Sequence, residues 1–114
     1  MPAQPEQLLQ IAVCRFARLH KIPFLHVANE RKASPYFGSL LKDMGVRPGV
    51  ADCLFPRGNA EFKGLWLELK VAKRKPTPLQ TQFLNEMKAE GYQALWCQGI
   101  DAAMEIIKDF YSIS

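Results

Sequence analysis

The hydrophobic positions of the first half of the chain predict one amphipathic helix followed by strands. Apolar residues recur at three- and four-residue spacing over 4–21, and Pro5 suits the first turn of such a helix. Pro23 ends this helix, and the apolar run 24–28 predicts a buried strand. The predicted buried face of the helix consists of Leu9, Ala12, Val13, Phe16, Leu19 and His20.

Glycine and proline break the segment 29–49 into loops around one or two helical turns at 39–44. Such a connection is long for a small domain, and long ordered loops often carry functional residues. Strands are predicted at 50–55 and 64–72, joined by a hairpin turn at 56–60.

The second half begins with a strong helix signal. Thr77 and Gln80 form a capping box, Pro78 occupies the first helical position, and Gly91 follows the predicted end at residue 90. The predicted apolar stripe of this helix is Leu79, Phe83 and Met87. A strand at 92–97 and a closing helix at 101–111 complete the order α-β-β-β-α-β-α. We therefore predict one α/β domain over 1–114, with helices packed on a mixed sheet.

Composition narrows the class of protein. The 114 residues are 48% hydrophobic and 23% charged, which is typical of a globular domain and excludes a disordered or fibrous chain. No apolar run is long enough to span a membrane, and the first ten residues lack the features of a secretory signal. The odd, widely spaced set Cys14, Cys53 and Cys97 favours buried free thiols over disulfides or a zinc site. We expect a cytoplasmic protein without membrane association.

Charge is unevenly distributed along the chain. The net charge is +4, but residues 15–75 hold 13 basic and five acidic residues, whereas the two ends together hold two basic and six acidic ones. A basic middle predicts a surface that attracts phosphate-rich polymers. A solvated surface with an excess of basic residues is the alternative, and charge by itself does not distinguish the two.

The predicted strand at 64–72 carries the candidate chemistry. Its side chains alternate, so that Leu65, Leu67, Leu69 and Val71 face one side while Trp66, Glu68 and Lys70 face the other. If the preceding hairpin is centred near residue 60, Asp52 lies opposite Glu68; a shift of one residue would move Asp52 to the other face.

Two neighbouring carboxylates repel each other unless a cation lies between them. Mg²⁺ is commonly held by one or two carboxylates together with water and phosphate oxygens, and it lowers the pKa of a bound water. Lys70 would then orient the attacking water or neutralise developing charge. The alternative is that Asp52, Glu68 and Lys70 form an ion pair on the strand surface.

These residues resemble a known family. Gly-Val-Ala-Asp at 49–52, Leu-Glu-Leu-Lys at 67–70 and Gln82 on the next helix are similar to the VRR-NUC branch of the PD-(D/E)xK nuclease superfamily. Glu6, residues 26–30, residues 45–49 and Gly91-Tyr92 also resemble that branch in order and spacing, so the resemblance covers roughly 6–103. Ala51 stands where the family pattern has proline, a position that supplies no ligating group.

The resemblance implies a restriction-endonuclease-like αβββαβ core, closed here by a C-terminal helix, and a phosphodiesterase that uses Mg²⁺ or Mn²⁺. It implies metal binding by Asp52, Glu68, the backbone carbonyl of Leu69 and Glu6, the last directly or through water. It makes Lys70 the catalytic lysine and Gln82 a glutamine of the catalytic site. His26 lies in an apolar run, which favours a packed, hydrogen-bonded histidine over a ligand.

The expected substrate is DNA. Arg31-Lys32 and Lys73-Arg74-Lys75 would hold flanking phosphates, contacts that position DNA without reading its sequence. Nothing resembles a base-reading module, so selectivity for DNA shape is expected. The resemblance to stand-alone Holliday-junction resolvases implies a homodimer, because symmetric cleavage needs two sites. The alternatives are a 5′-flap nuclease, an inactive nucleic-acid-binding module, and a small α/β interaction subunit.

Overall fold

The computed structural model describes residues 4–27 and 35–114, and these form four helices and four strands. In chain order they are α1 (Pro5–Leu19), β1 (Leu25–His26), α2 (Pro35–Asp43), β2 (Cys53–Phe55), β3 (Leu65–Lys70), α3 (Pro78–Ala89), β4 (Gln93–Gln98) and α4 (Ile100–Tyr111). Every predicted helix and strand is present, although the first three strands are shorter than predicted and the fourth begins one residue later. The predicted turns at 39–44 are the end of the longer helix α2. No helix among the described residues combines the length and apolarity needed to cross a membrane.

The four strands form one mixed sheet in the order β1-β2-β3-β4. The β1–β2 and β2–β3 pairs are antiparallel, whereas β3 and β4 are parallel, with α3 as their crossover connection. In the β2–β3 pair, Cys53 lies opposite Leu67 and Phe55 opposite Leu65. This is the register expected for a hairpin centred near residue 60, and its continuation places Asp52 opposite Glu68.

The connection between β2 and β3 is a longer loop than the predicted hairpin turn. The side-chain oxygen of Asn59 accepts the backbone N–H groups of Glu61 at 2.9 Å and Phe62 at 2.8 Å. The amide of the same side chain donates to the carbonyl oxygen of Phe110 at 3.1 Å. Asn59 therefore orders the loop and attaches it to the end of α4.

Each face of the sheet has its own core. On one face α1 and α4 pack on the sheet, and the fully buried residues there include Val13, Cys53, Phe55, Leu65, Leu67, Ala103 and Ile107. On the other face α3 packs through Phe83 and Leu84 against Ala51 and Ala94, with Trp66 edge-on to Phe83 at 4.9 Å between ring centroids. The alternation of β3 between the two faces is confirmed.

Two predicted core positions in α1 are wrong. Leu19 is 76% exposed and His20 is also exposed, whereas Ala17 is fully buried. The chain reverses after α1, and the N–H of Ile22 bonds to the carbonyl oxygen of Ala17 at 2.8 Å. Ile22 is 4% exposed, and it packs in the core that Leu19 was expected to reach.

The predicted burial of the first strand is also wrong. Leu25 is 58% exposed and His26 is exposed, because β1 pairs only with β2 in the described part of the chain and lies at an edge of the sheet. Phe24, just before the strand, is the residue that packs inward, with its ring 6.0 Å from that of Phe55.

The apolar stripe of α3 differs from the prediction at its first turn. Leu79 is 50% exposed, and the buried residues of the helix are Phe83 and Leu84. The first turn of α3 instead lies against the backbone of Gly49. A Cβ on Gly49 would be 2.8 Å from the carbonyl carbon and oxygen of Leu79, and the φ angle of Gly49 is +86°.

Gly49→Ala is therefore expected to destabilise the protein by about 2–4 kcal/mol, because it adds a backbone clash to an unfavourable φ. Gly45 provides a matched control, since its φ is +95° and a Cβ there would meet nothing within 4 Å. Gly45→Ala should cost only about 1–2 kcal/mol. Urea unfolding of both variants measures the difference, and equal losses would exclude a role for the contact with Leu79.

Candidate active site

An open cavity of about 970 Å³ lies between the start of α1, the end of β3 and the start of α3. We call it the α1–β3 cavity. Its lining includes Glu6 and Gln10 from α1, Asp52, Glu68 and Lys70 from the sheet, and Gln80 from α3. The cavity thus brings together most of the residues that the sequence singled out.

Asp52 is fixed by its backbone and by its side chain. Asp52 immediately precedes β2. Its Oδ2 accepts the backbone N–H of Leu69 at 2.8 Å, which attaches the carboxylate to β3. Its carbonyl oxygen accepts the N–H of Val27 at 2.7 Å and lies 3.1 Å from Nδ1 of His26. The expected hydrogen bond of His26 is confirmed, but the side chain is exposed at the cavity instead of packed.

Glu68 is buried, with an exposed fraction of 2%. Its Oε2 lies 3.2 Å from Nζ of Lys70, while its Oε1 is buried and has no hydrogen-bond partner among the described residues. Burial, and next the charge of Asp52, raise the pKa of the Glu68 carboxyl to about 7 against the opposing effect of Lys70. Lys70 alone therefore does not fully compensate the two carboxylates.

The donor atoms fit a hard divalent cation. A buried carboxylate oxygen without a partner, next to a second carboxylate, is the arrangement that a cation would satisfy. Among the described residues no group of three or more His, Cys, Asp and Glu side chains could hold a metal ion. Further ligands would be water, backbone or substrate oxygens, which Mg²⁺ commonly retains.

Two further predicted residues line the mouth of the cavity. Glu6 and Arg74 are both exposed, and their side chains approach to 3.7 Å. The carbonyl oxygen of Arg74 accepts from Nε2 of Gln98 at 2.8 Å, which holds the basic connection after β3. Lys73 and Lys75 are exposed in the same connection, whereas Arg31 and Lys32 lie outside the described residues.

Gln82 is not brought to the α1–β3 cavity. It is exposed, its Nε2 lies 3.4 Å from Oε1 of Glu86, and it lines a different depression on the outer side of α3. Gln80 lines the α1–β3 cavity instead, with its Oε1 held by the N–H of Thr77 at 2.9 Å. Residues two apart differ by about 200° around a helix, so Gln80 and Gln82 face opposite sides.

Gln10 is a second cavity residue that the sequence analysis missed. The available signal was its spacing of four residues from Glu6, which places both on one face of α1. The cysteines are as expected: Cys53 and Cys97 are buried and Cys14 is half-buried, all as free thiols. Burial raises the pKa of the Cys53 thiol to about 12 and that of Cys97 to about 11, with Asp52 and Glu68 adding to both.

Comparison with known proteins identifies the fold. No family model and no curated protein matches the sequence. A solved structure described as a VRR_NUC domain protein has the same fold, with a TM-score of 0.80 and 23% identity. The similarity covers 100% of this chain and 93% of the other. The fold is therefore the restriction-endonuclease-like fold of a VRR-NUC domain, as predicted.

The raised pKa of Glu68 predicts a pH-dependent stability in metal-free buffer. The folded state holds this proton more tightly than the unfolded chain, so the Glu68 contribution falls as the pH rises from about 4.5 to about 7. Glu68→Gln removes this titration and should become more stable than wild type with rising pH, by about 1–3 kcal/mol at pH 8. Urea unfolding in EDTA at pH 5 and pH 8 measures this difference.

Glu61→Gln is the matched control, because it removes one negative charge from an exposed side chain between β2 and β3. It should show no comparable gain between the two pH values. A Glu68→Gln effect of the same size at pH 5 and pH 8 would contradict the argument.

Proposed function

We propose that this protein, with its VRR-NUC fold, is a DNA endonuclease that hydrolyses backbone phosphodiesters with the help of Mg²⁺ or Mn²⁺. The observation that carries the proposal is the buried, unpartnered Oε1 of Glu68 beside Asp52 and Lys70 in an open cavity. Two neighbouring carboxylates in a cavity open to a large anionic substrate are suited to metal-assisted phosphoryl chemistry.

Asp52 and Glu68 would hold the metal, with the carbonyl of Leu69 as a further ligand and Glu6 acting through a bound water. When bound, the metal would act as a Lewis acid and lower the pKa of the attacking water. The N–H of Leu69 keeps the Asp52 carboxylate in place for this role. Nζ of Lys70, 3.2 Å from Oε2 of Glu68, has further N–H groups with which to orient the water or offset charge developing on the phosphate.

The connection after β3 supplies the contacts to the DNA backbone. Lys73, Arg74 and Lys75 directly follow the strand whose end lines the cavity, so DNA seated over the carboxylates would meet them. Arg31 and Lys32 would hold further flanking phosphates. Phosphate contacts position DNA without reading its sequence, which supports selectivity for DNA shape. The substrate that we propose is a four-way junction. A homodimer would cut this junction symmetrically, because it carries two active sites.

Wild-type protein should cut labelled DNA with Mg²⁺ or Mn²⁺ and not in EDTA, and a four-way junction should be cut faster than 5′-flap or duplex DNA. Asp52→Asn, Glu68→Gln and Lys70→Met should each lower the cleavage rate by about 10²-fold or more, because each removes a group at the reacting phosphate. Gel-resolved cleavage of the three substrates measures both effects. Glu61→Gln, an exposed carboxylate away from the cavity, is the control and should retain wild-type rates.

The outcomes separate the alternatives. A preference for the flap substrate would assign the protein as a 5′-flap nuclease. Binding of all three DNAs without cleavage under either metal would favour the nucleic-acid-binding module. A protein that neither binds nor cuts DNA would overturn the proposal and favour an interaction subunit.

Lys73→Ala and Lys75→Ala should each weaken DNA binding similarly for all sequences and reduce the slope of log affinity against log salt by about 1. Fluorescence anisotropy at several salt concentrations measures the slope. Lys88→Ala, exposed at the far end of α3, is the control. An unchanged slope in the Lys73 and Lys75 variants would remove this connection from the DNA-binding surface.

A further inference from the structure

Gln10 holds an unused hydrogen-bond donor at the wall of the α1–β3 cavity. Its Nε2 is buried and has no partner among the described residues, although the side chain lines the cavity. A buried N–H without an acceptor is destabilising, so a protein retains such a group where a ligand supplies the acceptor. Gln10 lines the same cavity as Asp52 and Glu68.

A hydrogen bond from Cys53 orients the Gln10 amide. The buried thiol of Cys53 donates to Oε1 of Gln10 at 3.4 Å. Since an amide nitrogen cannot accept a hydrogen bond, the thiol donates to the amide oxygen, which turns that oxygen toward the sheet and leaves Nε2 as the remaining donor. Cys53 directly follows Asp52, so the same segment of chain positions both the Gln10 amide and the Asp52 carboxylate.

The chemistry of the cavity indicates what this donor meets. An amide N–H needs an oxygen acceptor, and a substrate that the carboxylates hold through a cation brings phosphate oxygens to the same place. A hydrogen bond to a charged oxygen is stronger than one to a neutral oxygen. A bound phosphodiester would therefore supply an acceptor to Nε2 of Gln10, as a cation would supply a partner to Oε1 of Glu68.

We propose that Gln10 is a substrate-binding residue that donates its Nε2–H to a non-bridging oxygen of the bound DNA phosphodiester. This inference rests on the proposed nuclease function and deepens it, because it assigns a substrate contact to α1. The contact is made with the substrate as well as with the reacting state, so its loss acts on binding more than on the chemical step.

Gln10→Met, which keeps the length of the side chain and removes the amide, should raise KM for DNA cleavage by about 10-fold and change kcat by less than about threefold. Gln10→Glu retains an acceptor for Cys53 but places a carboxylate against the phosphate, so it should raise KM further. Steady-state cleavage in Mg²⁺ and DNA affinity in Ca²⁺ by anisotropy measure the two effects.

Two control variants separate binding from structure. Gln93→Met changes a half-buried glutamine of β4 that does not line the cavity, and it should leave KM within about threefold of wild type. Cys53→Ala removes the hydrogen bond between α1 and β2 while it keeps the amide donor. Because that bond orients the amide, KM should rise, but by less than in Gln10→Met, where the donor itself is lost. If Cys53→Ala reproduces the Gln10→Met effect, Gln10 acts by holding the helix and the proposal is overturned.

The outcomes also separate this inference from the nuclease proposal. Wild-type cleavage with equal KM values for Gln10→Met and Gln93→Met would overturn the role of Gln10 alone. DNA binding without cleavage would overturn the nuclease, and the same variants compared by affinity would still decide the contact. A wild-type protein that neither binds nor cuts DNA would overturn both.

Discussion

The β2–β3 register is the constraint on which the candidate site depends. Pairing of Cys53 with Leu67 places the preceding Asp52 beside Glu68, and the N–H of Leu69 then holds the Asp52 carboxylate at 2.8 Å. A shift of one residue would turn Asp52 toward the opposite face and separate the two carboxylates. The pairing of β1 adds a second restraint, because the Asp52 carbonyl accepts the N–H of Val27. Strand pairing therefore sets the positions of the two carboxylates, and contacts with neighbouring side chains adjust them only slightly.

The price of this arrangement is a buried carboxyl group that the protein's own residues do not fully satisfy. Oε1 of Glu68 lacks a partner among the described residues, and burial together with Asp52 raises its pKa to about 7 despite the nearby Lys70. A sheet with a packed core on each face can tolerate such a local cost, since most of its stability comes from apolar burial elsewhere. Unsatisfied polar groups that survive in a well-packed protein are characteristic of functional sites.

The features that could be predicted from sequence are those set by local rules. The period of two along β3 and the position of the preceding hairpin gave the faces of Trp66 and Glu68 and their register with β2. The features that could not be predicted depend on helix phase and chain reversal. Which glutamine of α3 faces the cavity follows from how the helix docks on Gly49, and the burial of Ile22 in place of Leu19 follows from the turn after α1. Gln10 was missed because its partner, Cys53, is 43 residues away in the chain.

The two faces of the sheet also differ in how firmly they are held. Among the described residues, the core beneath α3 contains four buried side chains, Ala51, Phe83, Leu84 and Ala94, two of them alanines, whereas the core under α1 and α4 contains twelve. Local unfolding begins where few apolar contacts oppose it, so α3 is expected to detach at a lower free energy than α1 or α4. Because the start of α3 forms one wall of the α1–β3 cavity, fraying of this helix would widen the cavity while the rest of the sheet stays folded. The packing of the small core beneath α3 therefore influences access to the carboxylates.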